Sequence, residues 1–274
     1  MKKCVLFVLV GIVGFVLGAQ LRVHGEIEVA GRIGPDLRQL LEEGGHSVVV
    51  DHGISRIEGD RTELGESLSI ALERELMKAD THRENLECYQ VTGYKKKMAL
   101  VSPQGDAYVQ QVHTQGSLQR TDNPFHLAIE GAGFFPVSGP GGQVVYTRGG
   151  DFHFDGRTQE VRTAANYPVG LKISDDYCNL TISPTGEASA LRYDSAEGKP
   201  EVLGQLELVA FDHPENLISL GDGIYEVHPN AGLPKRGKPG DPSLGLGVLA
   251  QGHLERSNVN FDIEMAELAQ SERR

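Results

Sequence analysis

Asp151-x-His153-x-Asp155 is the arrangement in this chain that most resembles catalytic machinery, because alternation along a strand would set two carboxylates and an imidazole on one face as acid and base. The same alternation serves a plain solvent-facing strand. His46, Asp51 and His52 suggest a metal, yet no third ligand follows at a useful spacing, so they read as scattered surface groups. Cys4, Cys88 and Cys178 lie far apart, with no Cys-x-x-Cys and no Cys/His pair at zinc spacing. Outside the cytoplasm Cys88 and Cys178 could form a disulfide if their Cα atoms come within roughly 7 Å. Gly245-Leu246-Gly247 lacks the third glycine and the strand-to-helix setting of a dinucleotide loop, and reads as a turn. No Gly-x-Ser-x-Gly, His-Glu-x-x-His or P-loop occurs. The expectation is therefore no catalytic residue, no metal and no cofactor.

Charge and composition narrow the partners. A net charge of −12 repels a phosphate backbone, and the one basic run, Lys95-Lys96-Lys97, reads as a solvated face at a helix C-terminus. Tryptophan is absent, which leaves little for stacking sugars or bases. Neither nucleic acid nor a small-molecule substrate is expected.

The elements that would position these residues begin at the N-terminus, where Met1-Lys2-Lys3 precedes an apolar run from Cys4 to Ala19. That order fits a signal peptide or a membrane anchor over residues 1–20, with membrane contact through 4–19 and the body outside the cytoplasm. Residues 21–63 form an extension of no evident role, with a short helix at 35–43 and a strand at 47–51. From residue 64 Leu68, Leu72, Leu76 and Ala79 recur at helical spacing, which predicts a helix to about Glu87 within a segment 64–98. Residues 99–255 read as β throughout, with strands near 109–113, 143–147, 180–183, 206–211 and 224–227 separated by Gly, Pro, Asn and Asp turns. Within it Asn123-Pro124 starts a turn, 127–130 alternates as a strand, and Gly131 and Gly133 bend the chain before Phe134 and Phe135 anchor the corner in a core. In 256–274, Asn258 or Asn260 can cap a helix whose stripe is Phe261, Met265 and Leu268. Two helices thus flank a mainly β, irregular antiparallel region.

Three segments carry a resemblance. They are Asn123 to Phe135 followed by Tyr146-Thr147-Arg148 and Gly150-x-Phe152-x-x-Asp155; Asn85-Leu86 running into Thr92-Gly93-Tyr94-Lys95; and Gln251-Gly252-His253-Leu254-Glu255-Arg256-Ser257-Asn258-Val259-Asn260. Over residues 80–274 the chain resembles the bacterial flagellar rod and hook-basal-body proteins, with the distal-rod branch nearest. Glu87 and Cys88 depart from the alanine and asparagine usual there, and the helix after Asn260 has 14 residues where the family's runs on for several more turns.

The resemblance implies a structural subunit, not an enzyme. In such a subunit the terminal helices pair as a coiled coil, Leu68, Leu72, Leu76 and Ala79 against Phe261, Met265 and Leu268. It would self-assemble with its own copies and with other rod and hook proteins in the basal body of the cell envelope, for motility. Asn123, Pro124, Gly131, Gly133, Phe134 and Phe135 would hold the β fold. The alternative is a membrane-tethered envelope protein that keeps the β domain and does not polymerise; it follows from the apolar run and the short last helix.

Overall fold

A computed structural model describes residues 26–30, 38, 42, 47–51, 54–58, 61–194 and 198–271. The expected signal or anchor at 1–20 and the residues His46 and His52 lie outside the described residues. The described residues are mainly β with one helix toward each terminus, helix α1 (Arg61–Glu87) and helix α2 (Phe261–Ser271). Two compact units divide the chain: one takes residues up to Leu86 with Met98–Val109 and from Phe261 onward, the other Glu87–Lys97 with Gln110–Asn260.

In the first unit, Glu26–Ala30, Ile54–Glu58 and Ser47–Asp51 form a three-stranded antiparallel sheet with Ile54–Glu58 in the centre. Helix α1 is proline-free and rich in Leu, Glu and Arg, all good helix formers. Ion pairs one turn apart, Glu75–Lys78 at 2.8 Å and Asp80–Arg83 at 2.5 Å, brace its outer surface. Ala71, Thr81 and Asn85 are buried. The Arg74 guanidinium donates to the Gly105 carbonyl, in the turn that joins Lys97–Val101 to Ala107–Gln111.

The second unit is a set of short antiparallel ladders around one core. Phe135–Ser138, Val144–Thr147, Ile224–Glu226 and Ile218–Gly221 make a four-stranded sheet in that spatial order. The C-terminal strands stitch to the early ones: Val248–Gln251 pairs with Leu127–Glu130 and His253–Glu255 with Leu118–Arg120. Strands Tyr177–Ile182, Glu187–Arg192 and Pro200–Gln205 form a meander, and three 3-10 turns, each opening on a proline, are the helical pieces described between Gln110 and Asn260. The core gathers Leu127, Ile129, Phe135, Val145, Phe152 and Leu208, all at most 2% exposed. A second cluster packs Phe134 edge-on to Tyr225 and Phe211.

Two glycine sites show why the chain bends where it does. Gly131 (φ +113°) and Gly133 (φ +121°) lie in backbone regions closed to L side chains, and they turn the chain out of Leu127–Glu130 so that Phe134 and Phe135 enter the two clusters. Gly150 answers to space instead: a Cβ there would stand 1.6 Å from the Leu127 carbonyl oxygen, which belongs to fixed backbone. Gly150→Ala should therefore lower the stability of the β unit by about 3 kcal/mol or more. Gly141→Ala, at φ +72° with nothing within 4 Å, should cost only about 1 kcal/mol. Urea unfolding followed by tyrosine fluorescence measures both; equal losses would show that the close approach at Gly150 does not matter.

Candidate functional site

Lys95, Arg148 and Glu255 come from three distant segments and meet in the β unit, with side chains 2%, 4% and 0% exposed. Each is placed by local structure. Lys95 follows a tight turn in which the Gly93 amide donates to the Glu255 carbonyl at 2.8 Å. Arg148 leaves the end of Val144–Thr147, and Glu255 ends His253–Glu255.

The hydrogen bonding at this centre is complete on two of the three side chains. Glu255 Oε1 accepts from Lys95 Nζ at 2.6 Å and from the Gly116 amide at 2.8 Å; Oε2 accepts from Arg148 Nε at 2.8 Å and Nη2 at 2.5 Å. All five guanidinium donors of Arg148 are used, since Nη1 also reaches the carbonyls of Gly131 and Gly133 and Nη2 that of Ile129. Lys95 Nζ donates as well to the Thr114 carbonyl at 2.7 Å. Burial lowers the Lys95 pKa, against which Glu255 pulls upward, and the nearby Arg148 lowers it further.

His113 borders the same centre. Its ring meets Phe134 and Tyr225 edge-on, at centroid distances of 5.5 and 5.7 Å, and both ring nitrogens are buried without a well-formed hydrogen bond. Burial, then the charges of Lys95 and Arg148, pushes its pKa down to about 4, while Glu215 and the Pro214 carbonyl pull the other way. Two cations and one anion already leave a positive excess here, so a protonated imidazole would be a third cation. The Tyr225 hydroxyl is pushed far up by burial.

This centre corrects one reading and was missed as a site. Lys95 is not part of a solvated lysine run; it is among the most buried side chains of the chain. Arg148 stands two residues after the buried Tyr146, so alternation turns both toward the core, and a charge in such a setting is the signal that could have found it; Glu255 left no such local signal. The trio Asp151, His153 and Asp155 does not converge. Asp155 caps its own turn through the Arg157 amide at 2.9 Å, His153 is exposed, and burial raises the Asp151 carboxyl. Gly245 and Gly247 belong to a turn whose Gly247 amide donates to the Ala132 carbonyl. Cys88 and Cys178 are not joined by a disulfide.

The other singled-out residues are placed as follows. Asn123 Oδ1 accepts from the Phe125 amide at 3.0 Å, closing the turn around Pro124. Asn258 does not cap α2: its side chain accepts from the Lys96 amide at 2.7 Å and donates to the Val112 carbonyl at 2.7 Å. On α1, Leu76 and Ala79 are half-buried, and the side chains of Leu68 and Leu72 lie outside the described residues. On α2, Phe261 and Met265 are 42% and 45% exposed and Leu268 is half-buried. A polar contact joins the two helices: Glu264 Oε2 accepts from His82 Nδ1 at 2.6 Å and Asn85 Nδ2 at 3.0 Å. Among the described residues no helix is long and apolar enough to cross a membrane, and no cluster of His, Cys, Asp or Glu could hold a metal ion.

Two stability predictions follow from the Glu255 centre. Glu255→Gln keeps the shape and strips the charge, leaving two buried cations without a counter-ion; the β unit should lose about 3–5 kcal/mol in urea, and a loss under about 1 kcal/mol would deny the carboxylate its role. His113 contributes an acid limb. Because its folded pKa lies near 4 and its unfolded value near 6.5, the unfolded chain binds the extra proton between those pH values, so stability falls as pH drops through that window. The fall is about 3 kcal/mol at most. His113→Phe should flatten that limb in unfolding curves at pH 7 and pH 4.5, and identical pH dependence in both proteins would contradict the assignment.

A family profile described as "Flagellar hook protein FlgE/F/G D1 domain" matches residues 128–190, which contain Arg148 and the double-glycine corner. The flagellar basal-body rod protein FlgG of Buchnera aphidicola subsp. Acyrthosiphon pisum is 37% identical over 166 residues, 60% of this chain and 62% of that protein. FlgG of Bacillus subtilis is 31% identical over 65% of this chain and 67% of its own length. FlgF of Mesorhizobium japonicum is 29% identical over 67% and 70%. The chain spans about 62% of the length of the first of these relatives. With the three motifs meeting at one buried carboxylate, and with these matches, the chain belongs to the flagellar basal-body rod and hook protein family.

Proposed function

We propose that this protein is a structural subunit of the flagellar basal-body rod, of the distal-rod type, which self-assembles with its own copies and with neighbouring rod or hook proteins in the cell envelope. The observation that carries this reading is the closed Glu255 centre. The family's motifs converge on a site whose carboxylate and guanidinium are filled by the fold itself, which leaves no open position for a substrate and makes the motifs a device for holding shape. In this reading Leu68, Leu72, Leu76, Ala79, Phe261, Met265 and Leu268 form the assembly contacts, and the coiled coil is completed by helices of neighbouring subunits. The exposure of Phe261 and Met265 supports contact with another copy, because apolar side chains on a helix face are what a second subunit's helix would cover; it does not support their pairing with α1 of the same chain.

The test is complementation in a motile host whose rod gene is deleted. Met265→Asp changes an exposed side chain, so the β unit should stay folded while swimming falls at least about tenfold, by analogy with buried interface anchors. Leu76→Asp should behave alike. Wild-type swimming by Met265→Asp would overturn the assembly role of this face.

The apolar run 4–19 favours a second reading, a membrane-tethered envelope protein that retains the β unit without polymerising. Tagged protein confined to membranes, beside intact flagella in the deletion strain, would decide for it.

A further inference from the structure

A buried contact between α1 and α2 is made by a residue that a helix would ordinarily turn outward. Glu264 is 3% exposed, whereas its neighbour Met265 and the residue one turn back, Phe261, stand open to solvent. Opposite Glu264, α1 offers His82 and Asn85, three residues apart and so on one face, and both donate to the same carboxylate oxygen. Asn85 is fully buried, and Thr81 beside it is 4% exposed with its hydroxyl turned to the Met77 carbonyl at 2.7 Å. A leucine pair at this place would hold the helices together in several rotations and registers, because apolar contact is non-directional. A carboxylate with fixed donors would not. Sliding α2 by one turn, about 5.4 Å, or rotating it by one residue, about 100°, would part the buried Glu264 carboxylate from both donors.

We propose that Glu264, acting through His82 and Asn85, is a positioning residue that fixes the register and rotation of α2 on α1, and thereby sets which face of α2 points outward. Buried polar groups of this kind serve registry in paired helices, at some expense of stability. The use of the outward Phe261 and Met265 face by a second copy rests on the assembly reading above; the register itself does not.

The experiment reads register within one chain. Spin labels go on the exposed positions Glu73→Cys and Glu267→Cys of the full chain, with Cys4, Cys88 and Cys178 replaced by serine, and the distance between them is measured by pulsed electron resonance. The parent should give one narrow distance. Glu264→Gln, which keeps an acceptor, should retain it, and Glu264→Leu should give two or more distances. If Glu264→Leu loses helix content, the triple variant His82→Leu, Asn85→Leu, Glu264→Leu decides, since a wholly apolar contact should stay helical and yet populate several distances. A single parent-like distance in a helical Glu264→Leu or triple variant would overturn the proposal. Slippage in these variants together with full swimming by Met265→Asp would leave the register device standing and remove only the assembly reading.

Discussion

A carboxylate in a dry interior is the constraint on which the β unit depends. Removing Glu255 from water is unfavourable by several kcal/mol, and only close cations with matching geometry offset that. The fold supplies two cations from segments 160 and 107 residues away in sequence. The carbonyls of Ile129, Gly131 and Gly133 are drawn in by the same guanidinium, so the double-glycine corner is shaped by Arg148 as much as by its own backbone freedom. Short ladders of three to six residues could not hold such a unit by pairing alone. The charged centre and the two apolar clusters beside it make one cooperative body of them.

Much of this architecture was legible in the sequence, for identifiable reasons. The strands at 144–147 and 224–226 lie within the expected runs, since alternation and bounding turns are local properties. The corner at Gly131 and Gly133 was readable because a positive φ has few causes. Helix α1 announced itself by its 3.6-residue spacing, and its span of 61–87 differs from expectation only at the start. The Glu255 centre was not legible, because its meaning lies in pairings across more than a hundred residues. A lysine in a row of three looks solvated until the chain is folded. The same applies to α2, where the apolar spacing of Phe261 and Met265 drew the eye and the partner-facing role of Glu264 left no periodic trace.

The two helices and the β unit illustrate opposite uses of buried charge. In the β unit the carboxylate is saturated by four donor contacts and serves to bind segments together. Between the helices, one oxygen of the Glu264 carboxylate accepts from His82 and Asn85, which lie on one face of α1. The first neutralises charge from two sides; the second orients a contact from one.

The great sequence distance between Lys95 and Glu255 bears on how the unit comes to be folded. A ribosome releases the chain from its N-terminus, so Lys95 and Arg148 emerge first and must wait in solvent, fully hydrated, for their anion. Until Glu255 emerges, burying either cation is unfavourable and the corner at Gly131 has no finished scaffold to close around. The charged centre of the β unit can therefore close only once the strand that carries Glu255 has been made.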